Sequence, residues 1–208
     1  MKITIPESIE DITLKQLQEV TLFAKKDGVT ELEVSKEKVR IITGIDLSEC
    51  EISQSDFEGL VESIDKALST PAEFKQRFSL NGVEFGFHPN LDKMSSAEYY
   101  DLMTYGEETE TLHNLMAILF RPIKNEDKFG NYTIKKYKGT EGCEQMKDMK
   151  LNLVNGALVF FLNLSKELQL STQESLKEVE RQREKMQHNS SRSGVGIQRL
   201  FRWLKMTS

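Results

Sequence analysis

Cysteine is almost missing from this 208-residue chain: Cys50 and Cys143 are the only two, on unrelated segments. Such sparse use excludes a disulfide framework and suits a reducing compartment, where a buried thiol behaves as a small apolar group. Long hydrophobic runs are missing too. The longest, Ala157 to Leu162, falls far short of the roughly 20 residues that cross a bilayer as a helix. The opening MKITIPESIED turns acidic by Glu7 and does not read as a secretory signal. The Asn-x-Ser/Thr matches at Asn131, Asn163 and Asn189 therefore carry no weight, and a cytoplasmic setting is expected. Histidine is scarce: His88, His113 and His188 lie in three different contexts, none spaced with another histidine or a cysteine as metal ligands are. A structural or surface role is the default for each, with Glu110 a salt-bridge candidate for His113. No catalytic residue, metal or cofactor is expected from this pattern.

What the chain does have is charge, 29% of residues against 38% hydrophobic, the balance of a globular protein. The net charge of −5 is unevenly spread. Residues 177–205 hold eight of the 28 basic residues and three of the 33 acidic ones, leaving 20 basic and 30 acidic elsewhere. An acidic body argues against nucleic-acid binding by the whole domain, which requires clustered cations. An acidic body with a basic tail fits self-association or an acidic partner.

The first 75 residues read as helices. Asp11 or Thr13 caps a stretch with Leu14, Leu17, Val20 and Ala24 at helical spacing, and Ser35 opens a second, short helix stopped by Gly44. Phe57, Leu60, Val61, Ile64 and Leu68 form an amphipathic face before Pro71. The period then changes. In RFSLNGVEFGFHP, alternating apolar residues flank Asn81-Gly82, a strong hairpin signal because both residues tolerate positive φ. TIKKY, around Ile134, is a candidate third strand. Ser95 and Glu98 fit a capping box, with Tyr99, Leu102 and Met103 expected on one helical face. Leu112, Leu115, Met116, Leu119 and Phe120 form the next apolar face, with Pro122 expected to end that helix. Asn152 to Leu170 is the most apolar helical stretch, and Gly156 within it offers a close helix crossing. Residues 173–186 read as an exposed helical arm.

Motif tests come out negative. NEDKFGNYTIKK matches an EF-hand at Asn125, Asp127 and Gly130, but Phe129 fills a ligand position and Lys136 stands where the bidentate glutamate belongs. It reads as a turn. Glu107, Glu108 and Glu110 read as the negative first turn of a helix rather than as an acid/base pair. GVGIQR lacks the Lys-Ser/Thr of a phosphate loop.

The segment GVGIQRLFRWLK stands apart, following the polar run QHNSSRSG. Ile197, Leu200, Phe201 and Leu204 make an apolar stripe, Trp203, the only tryptophan, sits at its flank, and Arg199, Arg202 and Lys205 fall opposite. Such a helix either completes its own domain's core or docks into a groove on another chain. Membrane contact is disfavoured at this length without a second signal, and one aromatic pair is little for base stacking.

The order GVEFGFHPNLDKMSSAEYYDL, TLHNLMAILFRPI, YTIKKY and MKLNLVNGALVFFLNLSKEL resembles a family of tail assembly chaperones and baseplate-hub proteins of tailed bacteriophages. The resemblance covers roughly residues 80–170 and, more loosely, the tail. It singles out Pro89, Asn90, Leu91 and Asp92 at a turn, Leu119 to Ile123 at a helix end, and Gly156 to Phe161. These are fold-making positions, with Arg121 free to bond helix-end carbonyls or to reach Asp92 or Asp101. The expectation is a mainly α (α+β) chain with a small antiparallel hairpin, a long C-terminal helix and a short terminal one. Its parts would be an N-terminal helical region (1–75), a hairpin-plus-helix core (76–172), and an arm, linker and docking helix (173–208). The resemblance implies a virion-morphogenesis protein that binds other tail, baseplate or neck proteins, or itself, in the host cytoplasm or the virion. Ile197, Leu200, Phe201, Trp203 and Leu204 are the expected partner contacts, with Arg199, Arg202 and Lys205 as electrostatic ones. The alternative is a packaging or host-directed factor touching nucleic acid through the basic tail.

Overall fold

The computed structural model describes residues 5–47, 51–106, 108–164, 166–167, 177 and 181. The chain divides into two compact units, Met1–Val159 and Phe160–Ser208. In the second, residues 160–164, 166, 167, 177 and 181 are helical. The other residues of the arm and all of the tail, including Ile197, Arg199, Leu200, Phe201, Arg202, Trp203, Leu204 and Lys205, lie outside the described residues.

The first unit is mainly α with one small antiparallel sheet. Three helices open it: α1 (Leu14–Ala24), α2 (Glu31–Thr43) and α3 (Gln54–Leu68). Thr13 with Gln16 and Thr30 with Glu33 form capping boxes, which satisfy the exposed N–H groups of the first turns. Thr30 thus starts α2 a turn earlier than Ser35, and Gly44 ends it in the left-handed conformation as expected. The buried side of α1 is Leu14 and Gln18. Gln18 is the unexpected member, donating from Nε2 to the carbonyls of Thr109 and Glu110 at 2.9 and 3.0 Å.

Next come β1 (Arg77–Leu80) and β2 (Val83–Phe87), then α4 (Ser96–Tyr105), α5 (Leu112–Leu119), β3 (Phe120–Glu126) and β4 (Tyr132–Ile134). The sheet is an antiparallel meander in the order β1-β2-β3-β4. Asn81 and Gly82 both have positive φ (51° and 76°), as the two-residue hairpin loop requires. TIKKY contributes β4, and the rejected calcium loop is the β3–β4 turn, built on Asp127 accepting from the N–H groups of Phe129 and Asn131. β3 was not expected. Pro122 forces Arg121 out of helical geometry, but the chain continues as a strand, with Phe87 paired to Phe120, Gly86 to Arg121 and Phe85 to Pro122.

The core draws on α5, the sheet and the last helix of this unit (α6, residues 151–159). Phe85 packs on Phe78, Phe78 on Phe120 and Phe120 on Phe87, with ring centroids 5.0–5.5 Å apart. Leu115, Met116, Ile118, Met149, Leu151 and Val154 are buried as well. Residues 12–14 pair with 149–151, the Leu14 N–H donating to Met149 and the Leu151 N–H to Ile12. Gly156 approaches the connection between α3 and β1 rather than another helix: a Cβ there would stand 2.3 Å from the Glu73 carbonyl oxygen.

Candidate functional site

Along α2 and α3 lies an open groove of about 790 Å³. Leu32, Phe57 and Val61 supply its apolar surface, while Glu58, Glu62 and Asp65 line it with carboxylates. Leu32, in the exposed first turn of α2, is 55% exposed. Gln54 donates to Glu58, and Lys38 pairs with Asp65 at 2.5 Å. Periodicity placed Phe57 and Val61 on the packed face of α3; they are only partly covered, because Ile64 and Ala67 take the buried positions.

A second exposed apolar face is on α4. Tyr99, Tyr100 and Met103 are 60%, 71% and 58% exposed. This corrects the expected face of that helix, since Leu102 and, unexpectedly, Glu98 point inward. Arg121 is the cause. Its guanidinium donates to Glu98 at 2.6 Å, with both side chains more than nine-tenths buried, so it reaches neither Asp92 nor Asp101. The other Glu98 oxygen accepts the Ser95 N–H at 2.6 Å. Burial alone would raise the Glu98 pKa, but the Ser95 bonds, Arg121 and His88 together hold it below the ordinary carboxylate value. His88, with Nε2 3.8 Å from Glu98, is pushed down by burial and by Arg121. Arg121 also lies under the Tyr137 ring, whose hydroxyl donates to Asp101. His88, just before the Pro-Asn-Leu-Asp turn that the resemblance singles out, and Arg121 of Leu-Phe-Arg-Pro-Ile therefore meet at Glu98 of α4. The His88 N–H donates to the Leu119 carbonyl at 2.8 Å.

On the other side of Arg121 opens a cleft of about 740 Å³ lined by Lys124, Lys135, Lys136 and Lys138, with Glu141 as its acidic member. The Arg121 Nε is buried there without a hydrogen-bond partner. Three of its lysines come from one run, Lys135-Lys136-Tyr137-Lys138 after β4, and Lys124 joins them from β3.

Comparison with protein-family models, curated proteins and solved structures finds no match. Among the described residues no helix is long and apolar enough to cross a membrane.

Proposed function

We propose that this protein is a component of tailed-bacteriophage morphogenesis that works by binding proteins of the tail, baseplate or neck, with no chemistry of its own. The observation that carries the binding reading is the acid-lined apolar groove along α2 and α3. An amphipathic helix docks by laying apolar residues at i, i+3, i+4 and i+7 into such a groove, and charges around it steer encounter and fix register. The matching occupant is apolar on one side and basic on the other. Residues 197–205 have that chemistry in sequence, and the occupant we assign is this segment from a second copy. The phage setting rests on the resemblance over residues 80–170.

Sedimentation of the full chain tests the groove. Self-association is expected to weaken in Glu58→Lys/Glu62→Lys and in Arg199→Glu/Arg202→Glu, and to return when the two variants are mixed. Unchanged association in both variants removes the groove from the reading. Mass spectrometry of purified virions and of tail intermediates tests the setting; absence of the chain from both counts against it.

The basic cleft favours a second reading, contact with nucleic acid. Salt-dependent binding that falls in Lys135→Glu/Lys136→Glu, or on neutralising Arg199, Arg202 and Lys205, supports it. No binding at low salt removes it.

A further inference from the structure

His113 on α5 comes together with the adjacent pair Cys143 and Glu144 where that helix packs against the short 3-10 helix Cys143–Asp148. The ligand atoms of His113, Cys143 and Glu144 all lie within 4.8 Å of one another. His113 Nε2 stands 3.5 Å from Glu144 Oε1. That is long for a hydrogen bond but close to the separation of two ligands on one metal. With bonds near 2.1–2.3 Å, neighbouring atoms of a tetrahedral site lie roughly 3.4–3.7 Å apart.

The surroundings hold the ligands in place. His113 is buried, 8% exposed. Its ring hydrogen-bonds the Glu110 carbonyl. Gln18 Nε2, which donates to that carbonyl at 3.0 Å, lies 3.1 Å from His113 Nδ1, so the carbonyl is on the Nδ1 side and takes the Nδ1 proton in the tautomer that leaves the Nε2 lone pair free. Nε2 is left facing Glu144. A backbone carbonyl on one ring nitrogen with the other directed at the ion is the usual support for a histidine ligand. Gly142, at φ 79°, turns the chain into the 3-10 helix, and the Cys143 N–H donates to Thr140, fixing the backbone that carries the thiol. Lys147 occupies Glu144 Oε2 at 2.7 Å, leaving Oε1 turned to His113.

We infer that His113, Cys143 and Glu144 form a binding site for a borderline-soft divalent cation of the zinc type, tying the 3-10 helix to α5. One imidazole nitrogen, one thiolate and one carboxylate oxygen are the donor set such ions take. Three protein ligands leave a fourth position for water. The Cys143 thiol gives its proton to solvent when the metal–sulfur bond forms, and Cys143 and the exposed Glu144 close the remaining separation by side-chain rotation.

Cobalt titration tests the site on the full chain, reduced and freed of metal with a chelator. Co²⁺ is expected to produce a thiolate-to-cobalt charge-transfer band that saturates at one equivalent and that Zn²⁺ bleaches. Cys143→Ser abolishes the band and Cys50→Ser keeps it. Glu144→Ala, at an exposed position, lowers Co²⁺ affinity by at least about tenfold, as does His113→Gln with its fold verified by circular dichroism. A band that never forms in the unaltered chain, or that survives Cys143→Ser, overturns the inference. Unchanged affinity in Glu144→Ala overturns the three-ligand site.

Discussion

Arg121 on β3 donates to Glu98 on α4 across 2.6 Å, with 9% and 6% of the two side chains exposed. This one pair sets which way α4 faces. Glu98 also closes the capping box with Ser95, so the start of the helix and its attachment to the sheet share a single carboxylate. With Glu98 turned inward, Tyr99 and Met103 are turned out.

Removing one partner of that pair leaves a buried charge uncompensated. Arg121→Ala is therefore expected to destabilise the fold by about 3–5 kcal/mol, read as a lower midpoint in urea unfolding. A shift within about 0.5 kcal/mol would mean that water compensates Glu98.

The same cluster makes stability fall in acid. His88 and Glu98 both have folded-state pKa values below their ordinary ones, so at low pH the unfolded chain binds more protons than the folded one. The His88 contribution is full above about pH 6.5 and is lost as pH drops through its lower folded value. The Glu98 contribution follows below about pH 4.3. His113, lowered by burial and by Lys147, acts in the same direction as His88. Denaturant unfolding between pH 5 and 8 is expected to show the first slope, and His88→Gln to flatten it in part. An unaltered slope would assign the effect elsewhere.

Two helical glycines predict opposite outcomes. A Cβ on Gly156 meets the Glu73 backbone at 2.3 Å, and backbone does not yield cheaply. Gly156→Ala should cost about 1–3 kcal/mol or more. Gly59, inside α3, has open space around its missing Cβ. Gly59→Ala should stabilise by roughly 0.4–1 kcal/mol. Thermal unfolding of the two variants decides both.

The groove can be altered without harming the fold. Leu32 is more than half exposed, so Leu32→Lys should change stability by no more than about 0.5 kcal/mol. It places a cation against a basic occupant, and self-association measured by sedimentation should weaken. Equal association in both proteins would exclude Leu32 from the interface.

Local features were legible in the chain. Asn81-Gly82 announces a hairpin, Ser95 with Glu98 a capping box, Gly44 a helix end and Asp127 with Gly130 a turn, because each is set by the φ preferences and hydrogen bonds of residues a few positions apart. Pro122 was legible as the end of a helix but not as a strand residue, since its pairing to Phe85 is made by another segment. Gly156 was legible as a close approach, though not its partner Glu73. The apolar period of α4 misled because an ion pair outweighed it.

The sequence by itself determined the mixed class, the places of the first helices and the first hairpin, the acidic body with its basic apolar tail, and the lack of a recognisable catalytic motif. Tertiary structure decided which carboxylate meets Arg121, that the sheet has a β3, that four lysines and an arginine share one cleft, and that His113 meets Cys143 and Glu144. It also decided that Leu32, Phe57 and Val61 remain an open groove. The division has a physical reason. Backbone preference and hydrogen bonding act over a few residues and leave their mark in local order. Pairing of buried charge, burial of one face over another and convergence of ligands depend on segments brought together from 20 to more than 100 residues apart, and no local pattern records them.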